Sequence, residues 1–290
     1  MFSKLDYKKQ KNIIICLFLI IPLTFLLVFT YLPAINMISY SFTSWKGYGA
    51  KTFVGLQNYI DIFTNPDIFG AFKNSIYYFV GGFVQLILAF FLAVVVNSKI
   101  KGKNFFKSIF FFPYLINGVA ISLMFLFFFQ PDGTLDTVLR LIGLDGIITQ
   151  WLGNENVVNY SLAFTSVWRY IGYSFIIFLG AMQSVSTEVL EAAQIDGASE
   201  WHKIRYILIP SVKNIIKLNL ILNISGAISV FEIPYIMTGG ANGSSTFVIE
   251  TMNTAFKFNQ VGKASAMAVV VMVIVASVAL IQNIFFKEDK

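Results

Sequence analysis

Six long stretches of this chain carry almost no charge, and a soluble core has no use for apolar segments of that length. Ile13–Trp45 lacks Asp, Glu, Lys and Arg over 33 residues, Asn74–Ser98 over 25, Ser108–Pro131 over 24 and Ala264–Phe286 over 23. Asn156–Thr187 is interrupted only by Arg169, and Leu218–Ile249 only by Glu232. A helix needs roughly 20 apolar residues to cross about 30 Å of hydrocarbon, so each stretch suffices for one crossing. The composition agrees: 57% of residues are hydrophobic and 12% charged, against about 25% charged in a soluble domain. The expected fold is an all-α integral membrane protein in which one domain, residues 13–286, holds six transmembrane helices at about 13–40, 74–98, 106–130, 158–183, 214–238 and 264–286. Lys4, Lys8, Lys9 and Lys11 precede the first stretch as they would a signal peptide. Its apolar run exceeds the roughly 7–15 residues of a signal core and no small-x-small cleavage pattern follows, so an uncleaved span is expected.

Cytoplasmic loops collect Lys and Arg, which orients the spans. With the N-terminus inside, the cytoplasmic set is Lys4, Lys8, Lys9, Lys11, Lys99, Lys101, Lys103, Lys107, Lys203, Arg205, Lys213, Lys217, Lys287 and Lys290, 14 of the 21 basic residues. Both termini are then cytoplasmic, as a segment 1–12 and a tail 287–290. The basic pI near 9.2 reflects topology and lipid headgroups, and implies no nucleic acid. The single cysteine, Cys16, excludes an internal disulfide and reads as a small buried apolar residue.

One loop is long, polar and patterned. Between Gln183 and Lys213, Glu188–Ile195 is helix-forming, Gly197 suits the positive φ that ends a helix, Ser199 suits the cap of a second helix, and Pro210 suits the first turn of the fifth span. A helix, a sharp glycine turn and a second short helix form a rigid knob.

That loop reads Glu191-Ala192-Ala193-Gln194-Ile195-Asp196-Gly197, then nine residues, then Ile207-Leu208-Ile209-Pro210. It resembles the EAA loop of permease subunits of ATP-binding-cassette importers, E-A-A-x-x-x-G followed by nine residues and I-x-L-P, with Ile209 in place of leucine. Phe53-Val54-Gly55-Leu56-Gln57-Asn58-Tyr59 resembles the F-V-G-L-x-N-Y segment of the sugar branch, of the first-permease type found in maltose and glycerol-phosphate importers. Phe112-Pro113, Gln130-Pro131 and Thr238-Gly239-Gly240 fall in the expected order. The resemblance implies a bacterial plasma-membrane subunit that imports a sugar or oligosaccharide. It implies four kinds of partner: two ATPase subunits, a second permease of different sequence, an extracellular solute-binding protein and the sugar. The coupling contacts fall on Glu191, Ala192, Ala193, Asp196, Gly197, Ile207 and Pro210, where small alanines allow close approach and Glu191 offers a charge-assisted bond.

The chain itself has no ATPase or other enzymatic signature. Neither Gly-Lys pair is a P-loop: Gly102-Lys103 is followed by Asn104 and Gly262-Lys263 by Ala264, and both lack the earlier glycine. One histidine, His202, and Cys16 provide no metal cluster or nucleophile-base pair, and no cofactor is expected. A secondary transporter would show paired repeats, and the two halves show none that convinces.

Substrate chemistry is expected on the spans flanking the loop. The fourth offers Ser166, Trp168, Arg169, Tyr170 and Tyr173; the fifth offers Asn219, Asn223, Ser225, Ser229 and Glu232. Hydrogen-bonding groups with aromatic faces suit a polyol, and Tyr170, Tyr173, Arg169, Asn223 and Glu232 are the pathway candidates. For the tyrosines helix packing is an equal reading. A charge in hydrocarbon normally faces a partner or a watery cavity, so Arg169 and Glu232 either pair, contact a sister permease, or meet substrate. Bends are expected at Pro22, Pro33, Pro113 and Pro234, a short helix near Val138–Ile148, and a flexible loop at Gly239–Ser245.

Overall fold

The computed structural model describes residues 6–98 and 101–285. Lys4, Lys99, Lys287 and Lys290, counted in the charge bias, lie outside the described residues, as do residue 286 and the tail 287–290.

The chain is mostly helical over its described residues. In order it forms α1 (Tyr7–Leu26), α2 (Leu32–Ser41), a two-stranded antiparallel hairpin β1 (Thr43–Ser44) and β2 (Thr52–Phe53), α3 (Gln57–Thr64), α4 (Pro66–Gly70), α5 (Phe72–Asn97), α6 (Lys103–Leu115), α7 (Gly118–Phe128) and α8 (Thr134–Leu141). There follow α9 (Val158–Gln183), α10 (Thr187–Ile195), α11 (Glu200–Lys203), α12 (Ile209–Ser211), α13 (Lys213–Ile228), α14 (Glu232–Thr238), α15 (Phe247–Met252) and α16 (Val261–Phe285). Among the described residues, five segments are long and apolar enough to cross a membrane: Tyr7–Ser41, Pro66–Asn97, Val158–Gln183, Lys213–Thr238 and Val261–Gln282. A sixth arises if the bent pair α6 and α7 counts as one span. Two compact units divide the chain, Met1–Thr64 with Thr251–Val270, and Asn65–Glu250 with Val271–Lys290.

In the first unit, α1 buries no residue, and Cys16, expected to be buried, is exposed. Pro22 sits inside an unbroken α1, whereas Pro33 follows a π-helical turn at Leu27–Tyr31. A proline ring clashes with the carbonyl four residues earlier, here Phe29, and the wider turn relieves that clash. After the hairpin the Phe53–Tyr59 segment folds back on the end of α2. Asn58 is buried and its amide donates to the carbonyls of Ser41 (2.8 Å) and Thr43 (3.0 Å), while the Tyr59 hydroxyl bonds the Ser41 hydroxyl at 2.7 Å. The polar residues of that motif therefore close the loop, while Phe53 and Leu56 are exposed.

In the second unit, α9 is the central element and packs against α5, α6, α7, α13 and α14. Apolar driving force between helices is weak in lipid, so close approach depends on small residues. Gly172 of α9 lies against the backbone of Phe110 and Phe111 in α6, and Gly81 of α5 against Ala163 and Val167 of α9. One core joins Leu86, Ala89, Ala93 and Val96 of α5 to Phe175, Phe178, Leu179 and Met182 of α9; a second joins Tyr78, Ile121, Phe125, Leu162, Ala227 and Ile233.

Two spans expected to bend at Pro113 and Pro234 are broken outright, each a few residues away from its proline. Residues 106–130 split at Ile116–Asn117, both extended, and α6 and α7 meet at 95°. The Asn117 side chain caps α7 by accepting from Val119 N at 2.8 Å. The fifth span breaks at Ser229–Phe231, upstream of Pro234. Pro234 has no N–H for the Val230 carbonyl and its ring excludes it; Thr246, fully buried, donates to that carbonyl at 2.8 Å instead. Hydroxyl side chains commonly satisfy carbonyls freed in this way.

Two loops differ from expectation. The helix near Val138–Ile148 begins earlier, at Thr134, and stops before Gly143, whose φ is +75°. The Gly239–Ser245 loop, expected to be flexible, is held by asparagines. Asn74 donates to the carbonyls of Gly243 (2.8 Å) and Ser245 (2.7 Å), Asn159 donates to Gly243 (3.0 Å), and Asn242 donates to the Leu152 carbonyl (2.9 Å).

Candidate functional site

The loop from α9 to α13 is built by local capping. The Ser186 hydroxyl accepts from Glu188 N at 3.2 Å and starts α10. At the other end Gly197 takes φ +80°, its N–H bonds the Gln194 carbonyl at 3.1 Å, and Ala198 N bonds the Ala193 carbonyl at 2.9 Å. This left-handed closure satisfies the last carbonyls of the helix. Ser199 then caps α11 by accepting from His202 N at 3.3 Å. A π-helical turn, Ile204–Leu208, precedes Pro210 just as one precedes Pro33.

Glu191, Ala192 and Asp196 are exposed on this knob, Ala193 and Ile207 are half-buried, and Pro210 is exposed. The exposed apolar residues are more telling. Ile195 is 86% exposed, and Val189, Trp201, Tyr206 and Ile209 are exposed on the same loop. Exposed apolar side chains gathered on one short polar loop make it a candidate contact surface.

α5, α9 and α13 enclose a cavity of about 530 Å³, completed by Tyr114 of α6 and the start of α14. Tyr170, Tyr173, Arg169, Asn223 and Glu232, picked from the sequence as pathway residues, all line it. Tyr114 stacks on Tyr173 with ring centroids 4.8 Å apart and meets Tyr170 at 6.1 Å, which makes an aromatic wall. Opposite in character are Gln85, whose amide donates to Ser174 Oγ (3.0 Å) and the Tyr170 carbonyl (3.2 Å), and Asn223, which donates to the Phe79 carbonyl at 3.4 Å. Gly82 makes room for Asn223, since a β-carbon there would overlap its amide. Aromatic faces cover C–H surfaces and amides bond hydroxyls, so the wall suits a polyhydroxylated ligand.

Arg169 and Glu232 form an ion pair on this wall, Nη1 to Oε2 at 2.5 Å, and the Arg169 guanidinium lies 5.0 Å over the Tyr170 ring. Of the readings weighed from the sequence, mutual pairing is the one seen, between two residues that line the cavity. Tyr78, Gln85 and Tyr114 also line the cavity but lie on α5 and α6, away from the spans that flank the loop, so sequence proximity to the loop does not point to them. Gln85 carried a signal: it is the only amide in the interior of the Asn74–Ser98 stretch.

Residues 85–288 match the family described as binding-protein-dependent transport system inner membrane component. The chain is 35% identical over 288 residues to the probable ABC transporter permease protein YurN of Bacillus subtilis (strain 168), covering 97% of this chain and 98% of that one. It is 32% identical over 269 residues to the multiple sugar-binding transport system permease protein MsmF of Streptococcus mutans, covering 91% and 92%. Among solved structures, a chain of a bacterial alginate ABC transporter, determined in complex with an alginate pentasaccharide-bound periplasmic protein, superposes with a TM-score of 0.84 at 19% identity over 98% of both chains. That last likeness is one of fold.

Proposed function

Because this chain belongs to the family of binding-protein-dependent transport system inner membrane components, a family of multi-pass permeases, not enzymes, we propose that it moves a sugar or oligosaccharide across a bacterial plasma membrane into the cytoplasm. Six spans with both termini cytoplasmic place the Glu191–Pro210 loop inside, where two ATPase subunits dock on its exposed apolar surface and Glu191. A second permease of different sequence completes the pathway, and an extracellular solute-binding protein delivers the sugar.

One observation carries this reading. α9 and α13, the helices that flank the capped loop, are also two walls of the cavity. A rigid knob joined directly to those walls converts ATPase closure into a change of cavity access, with the breaks at Ile116–Asn117 and Ser229–Phe231 as the compliant points. In this alternating cycle Tyr170, Tyr173, Asn223 and the Arg169–Glu232 pair present the binding surface. The carbohydrate assignment is supported by the wall chemistry and by the likeness to MsmF, a multiple sugar-binding transport system permease protein.

The test is Gly197→Pro in the reconstituted transporter. Proline fixes φ near −65° and removes an N–H, whereas Gly197 sits at +80° with its N–H bonded. Membrane insertion should persist while ATP-driven sugar uptake is lost. Normal uptake by this variant would sink the coupling assignment.

A further inference from the structure

Arg169 and Glu232 are the only two formally charged side chains on the cavity wall among the described residues, and each cancels the other. Their surroundings are shaped around a carboxylate. Gly118, the first residue of α7, lies so close that a β-carbon there would overlap both the Glu232 carboxylate and the Arg169 guanidinium. The start of α7, an 11-residue helix, adds the partial positive charge of its free N–H groups. The Arg169 side chain is 13% exposed and Glu232 is 42% exposed, so the guanidinium is the fixed, buried partner and the carboxylate reaches it from the open side. Arg169 Nε and the hydroxyl of Tyr78, a residue only 5% exposed, are buried behind this wall without a hydrogen-bond partner among the described residues, so Glu232 is the group that answers the guanidinium's charge.

We propose that Glu232 is a resident counter-anion: it fills an anion site made by Arg169 and the start of α7, so that the cavity admits neutral saccharides and excludes uronates. A neutral sugar meets no net charge on this wall. A uronate meets Glu232 at close range and finds the guanidinium already engaged. Like charges at such distance are repulsive and poorly screened inside a protein. Replacing Glu232 by an uncharged residue frees Arg169 for the carboxylate of the ligand and reverses the preference. This inference rests on the cavity being the sugar path.

The test uses the complete transporter in lipid nanodiscs, with D-glucuronate and D-glucose as probes at matched ionic strength and binding read by thermal shift. Wild type should respond to glucuronate no more than to glucose. E232Q should prefer glucuronate by about tenfold or more, the worth of a hydrogen bond to a charged group, and the double variant R169Q/E232Q should lose that preference. E232Q without a preference, or a double variant that retains one, overturns the proposal. Should E232Q fail to assemble, E232A is extracted with and without formate, which fits the vacated position. Recovery that depends on formate and disappears in R169Q/E232A supports the anion site, and loss that formate does not change overturns it. Failure of the underlying reading shows elsewhere: Y173A and N223A would then leave uptake of the transported neutral sugar unchanged, whatever E232Q binds.

Discussion

Gly172→Ala adds one methyl group where α9 crosses the backbone of α6. The new β-carbon would overlap the Phe110 carbonyl oxygen and lie 2.6 Å from its carbon and 2.9 Å from the Phe111 Cα. All three are backbone atoms of α6, so no rotamer change relieves the clash. Carbon atoms in contact sit about 3.5–4.0 Å apart, so the helices must part by roughly 1 Å. Overpacking of this kind costs about 1–3 kcal/mol. The control is Gly180→Ala on the same helix, where nothing lies within 4 Å of the added carbon. That change should stabilise by about 0.5–1 kcal/mol, because alanine loses less backbone freedom in a helix. Equilibrium unfolding of both variants in mixed micelles, titrated with a denaturing detergent, measures the difference. Opposite signs are expected. Equal effects, or a harmless Gly172→Ala, would refute the assignment of the α6–α9 crossing to that glycine.

Three further substitutions probe polar contacts. Asn58→Ala strands the Ser41 and Thr43 carbonyls and should cost about 1–3 kcal/mol, read by the same titration and by faster proteolysis between Thr43 and Phe53. Thr246→Val keeps shape but removes the donor to the Val230 carbonyl; the expected loss is about 0.6 kcal/mol, the average for hydrogen bonds between membrane helices, and at most about 1.7 kcal/mol. Asn74→Ala should raise amide hydrogen exchange across Gly239–Ser245 while leaving exchange in the α10 and α11 loop unchanged.

The parts of this structure that sequence reveals are those set by neighbours in sequence. Ser186, Gly197, Ser199 and Pro210 act within a turn or two of themselves, so the loop between α9 and α13 could be read from caps and punctuation. Charge-free stretches likewise report helices, since each apolar run satisfies its own backbone. What escaped was set across space. Pro234 signalled a bend, but the break fell at Ser229–Phe231, because the excluded carbonyl belongs to Val230 and its replacement donor, Thr246, comes from a later segment. The turn at Ile116–Asn117 depends on where α7 meets Arg169 and Glu232, and only Asn117 and Gly118 hint at it. Gly239–Ser245 has the composition of a loose loop, yet Asn74 and Asn159 hold it from a distance of many residues. The candidate cavity shows the same division: residues on α9 and α13 were found, whereas Tyr78, Gln85 and Tyr114 come from spans that only folding brings near.

The most direct measurement is extraction of the tagged chain from its own membrane in mild detergent, with mass spectrometry of everything that stays bound, repeated after crosslinking from position 191. The assignment as an importer subunit predicts recovery of a nucleotide-hydrolysing subunit, crosslinked at that position, together with a second multi-span permease. Recovery of this chain alone, with no ATPase even after crosslinking, would contradict it.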